Sequence, residues 1–484
     1  MKRWLTIFMS TAIILSVAPV LTACEKQENT RGRYEIIAEY SPETKTVAGA
    51  VKVTFINTTE NEISALKFQL YPNAYRKDAL YAPVPTTYTD VAYYDGESYG
   101  EIVVSSVNGS KNWEVMGEDE NVLCAYLEKP LYPGDKVVLD IGFLTKLASV
   151  NHRTGITKNT TNLANFFPVL CGLQGGEFYE TVYYSDGDPF FTDFADYTVR
   201  LTVPKDYEVA ATGEMIDERM LESKKAYTMS VSSARDFAVT VAKDYRLLET
   251  MHGDTRLLYY YYADANPQKT LDCAKESFAC YEDAFGEYAY STYTLAETGL
   301  CFGGMEYPCF TMLSDALKGD ERYRAVAHET AHQWWGLAVG NNPIENAWQD
   351  EGLAEYSALC FFDGYEKYGF RYDKLVADAL KEYRSYYDVY GSVLGRSDTR
   401  MTRHLKEFVS EYEYRCISFD KTVVMMDTLR KSVGDKKFFS ALKKYYQHYK
   451  GKTVGAGELV ASFEKTGADV GGFFDSFLSG KGIL

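Results

Sequence analysis

"VAHETAHQWWG", residues 326–336, decides how the chain is read. His328 and His332 are two of only six histidines in 484 residues, and Glu329 follows the first. Four helical residues turn through about 400°, so the two imidazoles differ by about 40° in azimuth and about 6 Å in height. Ring nitrogens at that spacing can converge on one zinc ion at about 2.0–2.1 Å each. Glu329 lies about 100° round from His328. It cannot easily bind the same ion, but it can reach a water on that ion, which makes two ligands and one general base. The alternative is a half-exposed helix that happens to carry two histidines. The surrounding apolar residues weigh against it, because a buried imidazole needs a partner.

Working outward, Asp320 can open this helix, and Gly340-Asn341-Asn342-Pro343 can end its last turn near Val339. A catalytic zinc site usually has three protein ligands and one open position. No third histidine follows closely, so a carboxylate must serve, and Glu345, Asp350, Glu351 and Glu355 come next. "WQDEGLAEYSALCFF", residues 348–362, reads as a second helix starting near Asp350. Glu351 in its first turn is the natural third ligand. Glu355, one turn on, can accept a hydrogen bond from a ligating imidazole or stand as a solvated surface acid.

Upstream the texture differs. "YEIIAEY", "VAGAVKVTFIN", "YTVRLTVP" and "FAVTVAKDY" alternate in polarity and are separated by turn residues. Residues 34–246 therefore read as an all-β domain, a saddle or sandwich of sheets. Residues 247–484 read as a mixed and then mainly helical domain with a small β-sheet, and the whole as multidomain α+β. At the N-terminus, Lys2 and Arg3 precede an apolar stretch and the box Leu21-Thr22-Ala23-Cys24. Residues 1–24 read as a lipoprotein signal peptide with Cys24 as the lipidated residue, or else as an uncleaved anchor. Residues 25–33 form a polar tether. Both readings place the protein outside the cytoplasm, on the bacterial cell membrane. The net charge of −17 argues against nucleic acid as a partner. Eight cysteines remain after Cys24 without a C-x-x-C pair, which argues against a thiolate cluster. Cys273 and Cys280 are too far apart on one helix to bridge, whereas Cys301 and Cys309 can bridge across a turn.

These motifs resemble the aminopeptidase N family of zinc metallopeptidases, which reads H-E-x-x-H-x-W-F-G with a glutamate ligand after eighteen further residues, within W-L-N-E-G. "HETAHQWWG" and "WQDEGLAEY" match that pattern and place the third ligand on Glu351. "GLCFGGMEYPCF", residues 299–310, resembles the family's G-x-M-E-N strand. The resemblance implies that Glu306 holds the substrate's free α-amine and that Gly303 and Gly304 allow close approach by a peptide. The family's Asn is Tyr307 here. The family's oxyanion tyrosine falls on Phe419 in "YRCISFDKTVVMM", residues 414–426, so Tyr414 or Tyr412 must reach in, or zinc and another group serve. Gln174 and Glu177 are candidates for the β-domain residue that helps bind the amine. The resemblance implies a thermolysin-like catalytic domain and a compact form without the long C-terminal helical domain. It also implies one zinc ion, a Glu329 general base, and peptides with a free N-terminus as substrates. A surface peptide-binding protein with impaired catalysis, motivated by Phe419, and a zinc endopeptidase, motivated by Tyr307, are the alternatives.

Overall fold

The structure, a computed structural model, describes residues 31–395 and 397–482. The signal-peptide and Cys24 expectations lie outside them. The first described strand, Gly32–Ser41, begins two residues before Tyr34. Tyr34, Ile36, Ala38 and Tyr40 are buried while the residues between them face outward. This period of two is what a strand with one covered face requires. It lies mid-sheet in a seven-stranded sheet, parallel to Ala195–Pro204 on one side and antiparallel to Thr46–Ile56 on the other. Two four-stranded sheets, one centred on Ile63–Gln69 and Val122–Leu131, the other on Thr160–Ala164 and Ala238–Ala242, and a two-stranded pair, Leu173–Gln174 with Glu177–Phe178, complete the β-rich half.

The second half opens with a five-stranded sheet in the order Arg246–His252, Thr255–Tyr261, Thr292–Thr298, Phe310–Ser314, Gly304–Tyr307. Gly304–Tyr307 is its edge strand, antiparallel to Phe310–Ser314. Against this sheet pack the helices Pro267–Phe285 and Asp320–Ala331, the latter carrying the histidines. The helices Pro343–Gly364, Tyr372–Leu394, Lys421–Val433 and Asp435–Tyr449 follow. A β-rich N-terminal domain followed by a helical one with a small sheet is thus the observed architecture. The described residues of both halves pack as one compact unit. None of their helices is long and apolar enough to cross a membrane.

Two helix boundaries differ from expectation. The histidine helix ends at Ala331 and not near Val339, because Gly336 turns the chain at φ +87° and the tryptophans before it are buried. His332 still holds helical angles (φ −58°, ψ −22°), so the i,i+4 relation survives. The glutamate helix starts at Pro343, not near Asp350. Asn342 caps it by accepting from the Ile344 amide at 3.1 Å, proline occupies its first turn, and Asn346 kinks it. Glu351 therefore sits past the kink and not in the first turn. All eight described cysteines are free, including Cys301 and Cys309.

The connection between these helices is clamped from the β-rich half. Arg235 is buried and donates to the carbonyls of Gly336 and Asn341, both at 2.8 Å. Arg322, in the first turn of the histidine helix, donates to Glu297 at 3.0 Å and to the Tyr259 hydroxyl at 3.0 Å. Glu297 is fully buried and also accepts the amides of Tyr262, Ala263 and Asp264. A buried ion pair whose carboxylate is also held by three amides fixes the helix on its sheet, whereas removing one partner strands a charge.

Candidate active site

The residues after His332 are anchors. Gln333 accepts the Cys309 amide at 2.8 Å and donates to the Tyr307 carbonyl at 3.1 Å, tying the histidine segment to the end of the edge strand. Trp334 donates from its indole to the Gly286 carbonyl at 2.9 Å. Trp335 donates to the Ser357 hydroxyl at 3.0 Å, which ties the same segment to the glutamate helix.

This bracing brings His328, His332 and Glu351 together. The two Nε2 atoms are 3.1 Å apart, and Glu351 Oε2 lies 3.2 Å from one and 3.3 Å from the other. Tetrahedral ligands about 2.05 Å from a zinc ion lie roughly 3.3 Å from one another. The opposite ring edges fix the tautomer. His328 Nδ1 faces Glu355 Oε2 at 2.9 Å, and His332 Nδ1 faces the Trp335 carbonyl at 3.2 Å. A carboxylate and a carbonyl only accept, so both Nδ1 atoms donate, and each ring in its neutral form presents its Nε2 lone pair. Two lone pairs and a carboxylate oxygen converging in a buried site have no hydrogen bond to make among themselves. A dication satisfies all three, so the donor set fits zinc. Glu355 also accepts from Arg324 at 2.6 Å, so it is a hydrogen-bonded partner of the imidazole and not a solvated acid.

Glu329 is 6% exposed, with one carboxylate oxygen unpartnered. Burial, partly offset by the two imidazoles, pushes its carboxyl up to about 7. A dication at the donor triangle would draw it back down. Gly304 makes room for it, since a Cβ there would lie 2.5 Å from Glu329 Oε1. Gly303 has only a distant neighbour at that position, 3.9 Å away on Ala325. Glu306, on the edge strand, brings a carboxylate oxygen within 4.8 Å of ligating atoms of Glu329 and His332. Burial holds its carboxyl well above the usual range. Tyr307 alternates to the other side of the strand, is buried against Phe310 and does not line the cleft.

Phe419 stacks on the His328 ring, with centroids 5.8 Å apart and planes at 14°. Tyr414 meets Phe419 edge-on at 5.9 Å, lines the same cleft, and has a buried hydroxyl without a partner. A π-helical turn over Cys416–Asp420 explains how. In an α-helix, residues five apart diverge by about 140°. A turn wound i→i+5 brings them back toward one face. Burial, and then the charges of Glu351 and Asp188, keep the hydroxyl protonated and so a donor. Tyr412 points elsewhere, to Glu382 at 3.4 Å.

Sequence reasoning missed Asp188 and Arg153, which pair at 2.5 Å and line the cleft from the β-rich half. Gly187 sits at φ +86°, and a Cβ there would press on the Tyr414 ring at 3.0 Å, so the loop Ser185–Asp188 closes against Tyr414 only with glycine. No local pattern marks Asp188, because its relation to the histidines exists only in space. Gln174 and Glu177 do not line the cleft, and Gln174 accepts from Asn342 at 2.6 Å. The cleft measures about 610 Å³, and eight carboxylates line it against three arginines. Its polarity therefore suits a cationic ligand end.

Comparison with known proteins bears on this geometry. Residues 269–477 match the peptidase family M1 domain. The chain is 28% identical over 179 residues to leukotriene A-4 hydrolase of Xenopus laevis, covering 36% of this chain and 29% of that protein. It is 26% identical over 201 residues to leucine aminopeptidase 2 of Aspergillus fumigatus, covering 40% and 30%. It thus spans about a third of the length of these curated relatives. Among solved structures, a variant M1 zinc metallopeptidase from Deinococcus radiodurans matches with a TM-score of 0.67 at 17% identity, over 94% of this chain and 95% of that one. The same enzyme bound to a Tyr-Ser-Ala substrate matches at 0.65 and 16%. The two-helix donor set and its edge strand lie inside residues 269–477, the segment that matches the peptidase family M1 domain, on a backbone that follows an M1 zinc metallopeptidase over 94% of this chain.

Proposed function

We propose that the chain is a zinc-dependent aminopeptidase that removes N-terminal residues from peptides. The observation that carries this is the donor triangle of His328, His332 and Glu351, with the carboxylates of Glu329 and Glu306 beside it. Zinc held by those three residues would acidify a water and polarise the scissile carbonyl. Glu329 accepts the proton of the attacking water and returns it to the leaving amine. Glu306 pairs with the substrate ammonium, and Asp188, anchored by Arg153, adds a second carboxylate across the cleft. Tyr414 donates to the developing oxyanion in the place that Phe419 leaves without a donor. The edge strand Gly304–Tyr307 has one side unpaired in the sheet, which suits an extended peptide adding alongside. Lipidation at Cys24 holds the enzyme on the outer face of the cell membrane, where it meets peptides from the surroundings.

Amino-acyl chromogenic amides and N-blocked peptides test the reading with the purified protein. Release from unblocked substrates alone, lost with chelator and regained with zinc, is the expected result. Cleavage of blocked peptides would make it an endopeptidase. Peptide binding without release would leave a binding protein in which Phe419 marks lost turnover.

A further inference from the structure

In a chain of net charge −17, one segment is strongly basic: "DKKFFSALKKYYQHYKGK", residues 435–452, carries six lysines and one acid. The helix Asp435–Tyr449 buries Phe438, Ala441, Leu442, Tyr445 and Tyr446. At about 100° per residue, Lys436, Lys437, Lys443 and Lys444 fall within an arc of about 120° opposite that buried stripe. Lys450 and Lys452 continue the face just beyond the helix, their ammonium groups 5.5 and 5.8 Å from the ring centres of Tyr446 and Tyr449. None of the six has a carboxylate partner among the described residues; Lys443 meets only the Asp283 carbonyl, at 3.3 Å. The nearby acids are mostly engaged, Asp435 with Arg430 at 2.9 Å and Glu458 with the Gly455 amide at 3.0 Å. This surface stands out because its six lysines fall within 18 residues that hold a single acid.

A second observation orients it. Arg31, the first described residue, pairs with Asp196 at 3.7 Å. Asp196 accepts the Ser233 amide at 3.0 Å, and the Ser233 hydroxyl lies 3.4 Å from where a Cβ on Gly451 would be. The body therefore begins beside the Lys450–Lys452 turn. Six residues lie between Cys24 and Arg31, and the seven steps from one to the other span at most about 25 Å. With the Cys24 anchor proposed above, that reach bounds how far this edge can stand from the membrane.

We propose that the lysine face of the helix Asp435–Tyr449, with the Lys450–Lys452 turn, is a docking surface for anionic phospholipid headgroups. Its orientation, though not its charge, rests on the Cys24 anchor proposed above. Clustered lysines next to a bilayer gain free energy from an anionic surface, and the gain falls away with salt. Half-buried Tyr449, beside Lys452, supplies an amphipathic ring suited to the headgroup zone.

Amine acetylation read by mass spectrometry tests this on the full chain reconstituted in vesicles of neutral phosphatidylcholine or of phosphatidylcholine with phosphatidylglycerol. Acetylation of the six lysines should fall at least about five-fold on anionic vesicles and recover in 1 M salt. Lys129 and Lys136, on the β-rich half, should change less than about two-fold under the same conditions. Equal labelling of the six on both vesicle types overturns the proposal. So does protection by soluble heparin without protection by anionic vesicles, which would assign the face to a dissolved polyanion. Failure to float with neutral vesicles would count against the anchor alone, because the labelling comparison on anionic vesicles still reads the lysines.

Discussion

Replacing Tyr414 with phenylalanine separates catalysis from packing. The hydroxyl is buried and has no hydrogen-bond partner among the described residues, so its loss breaks no bond in the free protein. The ring is held by edge contacts to Phe408 at 5.3 Å and Phe419 at 5.9 Å, which phenylalanine keeps. A buried, unpaired hydroxyl costs about 1–3 kcal/mol, so the variant should melt at the same temperature or higher. Activity should move the other way. One donor to a developing oxyanion is worth about 10²–10³ in kcat, or about 2.7–4 kcal/mol. The loss should appear equally in kcat and kcat/KM, with KM little changed, because the donor engages the transition state and not the bound peptide. Steady-state hydrolysis of an amino-acyl amide and a thermal melt on the same preparation give both readouts. A kcat within about threefold of the parent, or a drop in Tm that tracks the activity loss, would refute the oxyanion role and leave Tyr414 as packing.

The remaining predictions concern the ion, its base and one buried cation. Glu329→Gln should lower kcat by about 10²–10⁴ while zinc content, measured by elemental analysis, stays at the parent level, because Glu329 is not one of the three donors. Glu355→Ala should weaken zinc affinity by about 10–100-fold in chelator competition, with activity regained in excess zinc, because it removes the acceptor that orients His328. Stripping zinc with chelator should lower the melting temperature, since an ion bound only to the folded state stabilises it by mass action. Lys421 donates to the carbonyls of Thr399 and Phe477, and burial, then Arg403, brings its ammonium down to about 7. Its folded value lies below the unfolded one of about 10.4, so from there down to about 7 the unfolded chain takes up a proton that the folded one does not. Stability should therefore fall as pH drops through that window. Relative to Lys421→Met, the parent should lose about 2–3 kcal/mol between pH 9.5 and 7.5 in urea unfolding, and a pH-independent difference would refute this.

Legibility in the sequence followed chain distance. His328, His332 and Glu351 were readable because helical geometry converts a spacing of four, or a short connection between two helices, into direction. Glu355 was readable as an alternative, a partner of the imidazole or a surface acid, and only the packing of Arg324 and His328 against it chose the former. The alternating strands before residue 246 announced a β-rich half, since a sheet with one covered face writes period two into its residues. The histidine helix was drawn too long because Trp334 and Trp335 read as helical and apolar, while their burial depends on the Gly286 carbonyl and Ser357, far away in the chain.

What the amino-acid order determined by itself was the chemistry available: two imidazoles and a carboxylate that can share an ion, an acid beside them, and glycines in the strand opposite. What only the tertiary structure decided was who else stands in the cleft. Asp188 arrives from the β-rich half on a loop that closes because Gly187 leaves room for the Tyr414 ring. Tyr414 arrives because a π-turn, not an α-turn, separates it from Phe419. The physical reason is the same in both cases. Local pattern encodes direction along one element, but the meeting of separate elements is set by packing and by the hydrogen bonds left to satisfy, and neither is written at any single position.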